Sequence, residues 1–334
     1  MDKRLLHQLI KPLMILAAVI IGSAVLARFL MRGDTLAEHD AKYAADRPAT
    51  VETADEIDDS ASVGIVADDD GDMTGDGADG GGADDGGGAE PVMPVSQWSV
   101  GVNMYVYQPG FTSEPLSDAL FAYIQGISFP ITIEEARSQS GGDDAGLSEE
   151  ELYDLLPNIV ENADEISVSR EDLVFLSLLH HNPDGQIHLG EMICHRDIAD
   201  DLLFIFYELY SNDYWIGQIR LIDEYGGDDT LSMLANNTSS FNYRESSPGR
   251  LSQHSYGLAV DINPFYNPYV VYSRGEITRI SPEGSEAYVD REYDFPYKIN
   301  ADDLAYRLFT ERGFTWGGDW NNIKDYHHFV KELD

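Results

Sequence analysis

The chain has 334 residues and carries 60 acidic against 21 basic side chains, a formal net charge of -39. That length suits one large or two modest folded bodies, and a charge so negative repels polyphosphate and excludes nucleic acid as a partner. The only cysteine, Cys194, rules out an internal disulfide and a cysteine-based zinc site; beside Met192 and Ile193 it reads as a buried, inert thiol.

In chain order, Lys3, Arg4 and Lys11 precede an apolar run from Leu13 to Ala27, which Phe29, Leu30 and Met31 continue beyond Arg28. This just reaches the roughly 20 residues a helix needs to cross a bilayer, with Arg28 close enough to the end to snorkel. The basic flank predicts a cytoplasmic N-terminus, a single pass through the cell membrane and an extracytoplasmic body. Val25-Leu26-Ala27 also suits signal-peptide cleavage, so the anchor at 1–32 is either retained or removed to release a secreted protein. Residues 33–96 are dominated by Asp, Gly and Ala and bury too little apolar surface to offset their ordering entropy, which predicts a disordered acidic linker. The Asp-rich run from Asp68 to Gly75 lacks the terminal Glu spacing and flanking helices of a calcium loop.

Folded sequence begins near Gln97. Residues 97–170 read as an N-terminal extension and 171–334 as the catalytic domain. The extension offers a strand from Trp98 to Tyr107, a helix from Leu116 to Gln125, a polar loop over 138–148 and a short acidic helix from Glu149 to Leu156. Next, Leu173–Leu179 and Gln186–Ile193 flank Asn182-Pro183-Asp184-Gly185, a hairpin signal. His180, His181 and His188 beside it are read as surface histidines at a strand end. Ile198–Tyr210 carries one apolar stripe and predicts an amphipathic helix. Ile216–Ile222 reads as a strand, 223–229 as a loop, and 273–294 as a long polar connection. A helix over Leu304–Phe309 stops at Gly313, and Phe314–Trp316 and His328–Val330 close the chain as strands. The pattern predicts an α+β fold, an antiparallel sheet with helices on one side.

Two clusters carry the chemistry. Ser252 to Pro264 reads as a loop running into a strand over Leu258–Ile262, with His254 and Asp261 seven residues apart and small Gly257 and Ala259 leaving space beside them. The second cluster is Trp316-Gly317-Gly318-Asp319-Trp320 followed by Asp325-Tyr326-His327-His328-Phe329. Hydrolytic zinc takes three protein ligands and keeps one position open, a set that His254, Asp261 and His328 would supply around one ion. On a strand, His327 and His328 would point to opposite faces, so only one would reach the site, and the spacing from Asp325 favours His328. Asp325 is the candidate general base and Arg244 the cation for the developing oxyanion. Ser252 and Tyr256 are candidate cleft residues, Trp316 and Trp320 would wall the cleft or pack in the core, and Asp319 would either orient a ligand histidine from behind or cap a turn.

These residues resemble the zinc D-Ala-D-Ala carboxypeptidase and L-Ala-D-Glu endopeptidase family, which includes VanY-type and phage-endolysin peptidases. The pattern Ser-x-His-x-x-Gly-x-Ala-x-Asp is met by Ser252, His254, Gly257, Ala259 and Asp261, and Asp325-x-x-His328-Phe329 and the Trp-Gly-Gly-Asp-Trp stretch are also typical. The resemblance implies the fold shared with hedgehog signalling domains, a single zinc, and peptidoglycan stem peptides as substrate. It places His254, Asp261 and His328 as ligands, Asp325 as base and Arg244 as the polarising arginine. Val330 departs from the Glu common after the His-Phe pair. Asp325 stands where the carboxypeptidase branch more often has Glu, which favours endopeptidase-like cleavage. The alternative from another class is a catalytically silent zinc-binding module that recruits cell-wall partners.

Overall fold

The computed structural model describes residues 95–141 and 146–333. The predicted anchor and nearly all of the acidic linker lie outside these residues. Among those described, no helix is long and apolar enough to cross a membrane.

The fold is built on a four-stranded antiparallel sheet whose strands run in chain order: β1 (Tyr105–Gln108), β2 (Phe111–Pro115), β3 (Leu173–His181) and β4 (Ile187–His195). The Asn182–Gly185 turn joins β3 and β4 as expected, with Asn182 Oδ1 accepting from the Asp184 and Gln186 amides. Alternation along β3 and β4 separates two cores. Leu176, Leu178, Met192 and Cys194 face α2 (Ala199–Ser211), whereas Leu173, Phe175 and Ile193 face α1 (Asp118–Ile124). Helices therefore cover both faces of the sheet, not one. A strand buried on both sides needs no polar alternation, which explains the nearly continuous apolar run of β3. Burial also pushes the Cys194 thiol up, leaving it protonated and inert.

The described part of residues 97–170 is integral to this body. β2 pairs along its whole length with β3, and Leu116, Leu120 and Ile124 join Phe175 in one core. The predicted strand over Trp98–Tyr107 shrinks to β1, because the preceding residues turn to put the Val100 and Gly101 amides on the buried Glu114 carboxylate. Similarly, Ile216–Ile222 holds only a two-residue strand, Gln218–Ile219, and the expected loop over 223–229 starts in a short helical turn, Ile222–Tyr225, and leads into a helix, Asp229–Leu234, capped by Asp228. His180 is buried, not superficial, and burial lowers its imidazole to about 4.

Among the described residues, three two-stranded sheets accompany two three-stranded antiparallel ones. One contains β5 (Ala259–Asp261), and the other contains β6 (Tyr269–Ser273) and β7 (Glu276–Ser281). β7 lies in what reads as a polar connection. Arg274 and Gly275 both adopt positive φ and form the hairpin turn, a weak signal without Asn or Asp at the first position. After α3 (Leu304–Glu311) come β8 (Thr315–Trp316), β9 (Ile323–Asp325) and β10 (His328–Val330). β10 lies between β5 and β8, and β9 pairs with β6. Phe309 of α3 stacks on Phe329 of β10, ring centroids 4.3 Å apart, tying this end to the core beneath α2.

One buried acid gives the fold a pH signature. Asp223 accepts from the Ser128 amide at 3.2 Å and the Ser128 hydroxyl at 3.0 Å, yet burial outweighs both bonds and raises its carboxyl to about 7. The folded state therefore holds this proton more tightly than the unfolded chain, and the acid costs stability progressively as pH rises from about 4 to 7. Asp223→Asn, whose amide can satisfy both Ser128 groups, should gain about 1–2 kcal/mol more at pH 8.5 than at pH 5.5. Denaturant titrations at the two pH values measure this, and an equal effect at both would refute it.

Candidate metal centre

Three local features bring the first cluster together. Ser252 caps the short helical turn Gln253–Tyr256 by accepting from the His254 amide, and Gly257 ends that turn in the left-handed region. A Cβ on Gly257 would stand 2.6 Å from the His195 amide nitrogen and 2.9 Å from the Cys194 carbonyl carbon. The glycine thus admits the backbone of β4; it does not open space for a ligand. β5 follows, with Asp261 directly opposite His328 of β10, so their side chains share one face of the sheet.

His254 Nε2, His328 Nδ1 and Asp261 Oδ1 converge, with separations of 3.2 Å between the nitrogens, 3.3 Å from His254 to Asp261 and 3.0 Å from His328 to Asp261. Donors at the usual zinc distance of about 2.0–2.1 Å in a tetrahedron stand roughly 3.3 Å apart, so this triangle fits such an ion. His254 Nδ1 donates to the Ser240 carbonyl at 2.5 Å, which leaves the Nε2 lone pair facing the other two donors. Ser240 is held there because the amides and carbonyls of Ser239 and Asp261 pair with each other. Burial favours a neutral Asp261, but His254 and His327 outweigh it and hold the carboxyl well below the ordinary range. These two nitrogens and one carboxylate could hold a zinc ion and leave one position for water.

Beside this trio, β9 delivers Asp325. Gly317 makes the approach possible: a Cβ there would stand 2.7 Å from both Asp325 Cβ and the Asp325 carbonyl oxygen. His327 also reaches the site, contrary to the strand-based expectation that only one of the paired histidines would. Tyr326 and His327 form a turn between β9 and β10, so strand alternation does not govern them. His327 Nε2 lies 2.9 Å from Asp325 Oδ1 and 3.7 Å from Asp261 Oδ2, and its Nδ1 donates to the Asn267 carbonyl at 2.6 Å. Burial disfavours the imidazolium, but the Asp325 and Asp261 carboxylates outweigh it and raise His327 to about 9.

Residues 245–331 match the family model described as D-alanyl-D-alanine carboxypeptidase. The match covers about a quarter of the 334-residue chain. The matched segment contains all three convergent donors as well as Asp325 and His327, while Arg244 falls one position before it. No curated protein and no solved structure matches the chain.

Just outside the matched segment, Arg244 is fixed to the His254 turn through its backbone. Its amide donates to Ser255 Oγ at 2.9 Å, and the Ser255 hydroxyl donates back to its carbonyl at 2.8 Å. The guanidinium pairs with Asp229, whose other oxygen accepts from Asn242 Nδ2 at 2.8 Å. Burial disfavours the His254 imidazolium and the Arg244 charge adds to that, but the Asp261 carboxylate outweighs both and raises its pKa.

Of the predicted cleft or supporting residues, Trp316 takes the core position. Tyr256 packs on the main core, and Trp316 is buried with its indole N–H donating to the Tyr326 carbonyl at 2.9 Å. Asp319 is exposed, and at the ligand His254 the Ser240 carbonyl takes the orienting role. Trp320, 39% exposed with its ring 5.6 Å from that of His328, faces solvent beside the convergent trio. The sequence reading missed Asp229, Asn242, Ser240 and Asn267. Nothing in the spacing of Asn267 links it to His327.

Proposed function

We propose that this protein is a zinc-dependent peptidase acting on peptidoglycan stem peptides. The observation that carries the reading is the buried triangle of His254, Asp261 and His328 with a separate carboxylate, Asp325, at its edge. The match of residues 245–331 to a D-alanyl-D-alanine carboxypeptidase family model supports peptide hydrolysis in the cell wall. When bound, zinc would supply Lewis acidity and lower the pKa of a coordinated water to about 7. Asp325 would take a proton from the attacking water and pass it to the leaving amine. Arg244, steadied by Asp229, would face the carbonyl oxygen as charge develops there.

Two scissile bonds suit this site, D-Ala-D-Ala and L-Ala-D-Glu. The short Asp325 carboxylate favours the second, and the family description the first. Incubating purified muropeptides with the protein, with and without a chelator, and weighing the products by mass spectrometry tests the reading. We expect loss of one terminal D-Ala or release of L-Ala-linked fragments, abolished by chelator and restored by zinc. Zinc-loaded protein that cleaves no stem peptide would instead identify a silent zinc-binding module.

The basic-flanked apolar run at 1–32 supports an extracytoplasmic body on a membrane anchor, retained or cleaved, with 33–96 as its tether. That proposal rests on the sequence pattern.

A further inference from the structure

We propose that His327 is a positioning residue that holds the Asp325 and Asp261 carboxylates in fixed register from an anchor on the Asn267 carbonyl. This deepens the peptidase reading and rests on it for the role of Asp325. Each nitrogen of the His327 ring faces an acceptor. Nδ1 meets the Asn267 carbonyl at 2.6 Å, and Nε2 meets Asp325 Oδ1 at 2.9 Å with Asp261 Oδ2 beyond at 3.7 Å. Among the described residues, Asp325 Oδ1 is buried and has no hydrogen-bond partner, so its close ion-pair contact with His327 Nε2 is what meets its charge. The backbone adds to this fixation, because the His327 carbonyl accepts from Ile262, the residue following Asp261, at 3.0 Å.

The anchor itself is rigid. Asn267 is fully buried, and its Oδ1 accepts from Arg291 Nη2 at 2.8 Å and from the Ile299 amide at 2.9 Å. Its Nδ2 donates to the Tyr297 and Asn263 carbonyls at 2.8 and 3.1 Å. A carbonyl fixed on that side and two carboxylates on the other leave the imidazole little freedom. The ring therefore couples the residue assigned to proton transfer with a residue assigned to the metal. A partner that orients a ligand or base typically contributes 10–100-fold in metal affinity or activity.

The substitutions separate this role from a purely structural one. His327→Phe keeps the ring and removes both donors. His327→Gln can place an N–H where Nε2 stands, toward the carboxylates, whereas His327→Asn places one where Nδ1 stands, toward Asn267. We expect His327→Phe to retain one zinc per chain, to bind it about 10-fold more weakly in chelator competition, and to lose about 10–100-fold in kcat with KM within twofold. His327→Gln should recover most of both losses and His327→Asn little. Recovery by Asn equal to Gln, or unchanged zinc affinity and kcat in His327→Phe, would overturn the proposal. Loss of zinc stoichiometry in His327→Phe would overturn it too, by making His327 a ligand. Should the phenylalanine variant not fold, the Gln–Asn comparison decides alone. If the wild-type protein hydrolyses no stem peptide, the peptidase reading fails. The zinc affinities still judge His327, and equal values across the series would reject its role.

Discussion

Replacing Asp325 by asparagine should leave one zinc bound and lower kcat by about 100- to 10,000-fold, the range general acid–base catalysis contributes. Asn fits the same space that Gly317 provides and can still accept from His327. Its backbone partner is unaffected, because Asp325 pairs with Tyr269 through the main chain. Only the capacity to take up a proton disappears. Asp325 also lies outside the convergent trio, so metal content should match the wild type. Zinc analysis together with kcat and KM on a muropeptide substrate measures each part, and KM should change little, because the lost interaction acts mainly in the transition state. Wild-type turnover in this variant would remove Asp325 from the base role, and loss of zinc would reassign it to the metal.

The sequence made the convergent trio legible because its order reflects local geometry. A capped turn ending in Gly257 presents His254, the next strand presents Asp261, and the strand opposite presents His328. What sets the orientation of these side chains was not legible. The Ser240 and Asn267 carbonyls are backbone atoms, and any residue type at those positions would supply them. His327 was misjudged for a related reason: a two-residue turn between β9 and β10 breaks the strand alternation, and turn boundaries leave little trace in so short a segment. Arg244 was legible as a cation, but its partner Asp229 opens a helix just where the sequence reads as the end of an acidic loop. In the fold, the β3–β4 hairpin and α2 followed from turn chemistry and apolar spacing. The placement of helices on both sheet faces did not, since α1 alone could pack on either side until β2 pairs with β3.

Asp261→Asn should abolish tight zinc binding, with an affinity loss larger than that of any His327 variant. Asp261 supplies the only negative charge among the three donors, and its Oδ1 stands within 3.3 Å of both ligand nitrogens. An amide has nearly the same shape, but it is a far weaker ligand and leaves two imidazoles 3.2 Å apart with no anion between them. For the wild-type protein, zinc at about 100 times its Kd should add about 2.7 kcal/mol of stability. That increment should vanish in Asp261→Asn, while metal analysis after dialysis falls from one zinc per chain to near zero. The metal-free variant should also be less stable than the metal-free wild type, because His327 and the two ligand histidines lose a buried counter-charge. Removing one partner of a buried pair costs about 3–5 kcal/mol. Zinc-induced stabilisation that persists in Asp261→Asn would place the ion elsewhere. A metal-free protein of unchanged stability would show that the carboxylate is not the centre of charge around which these histidines are arranged.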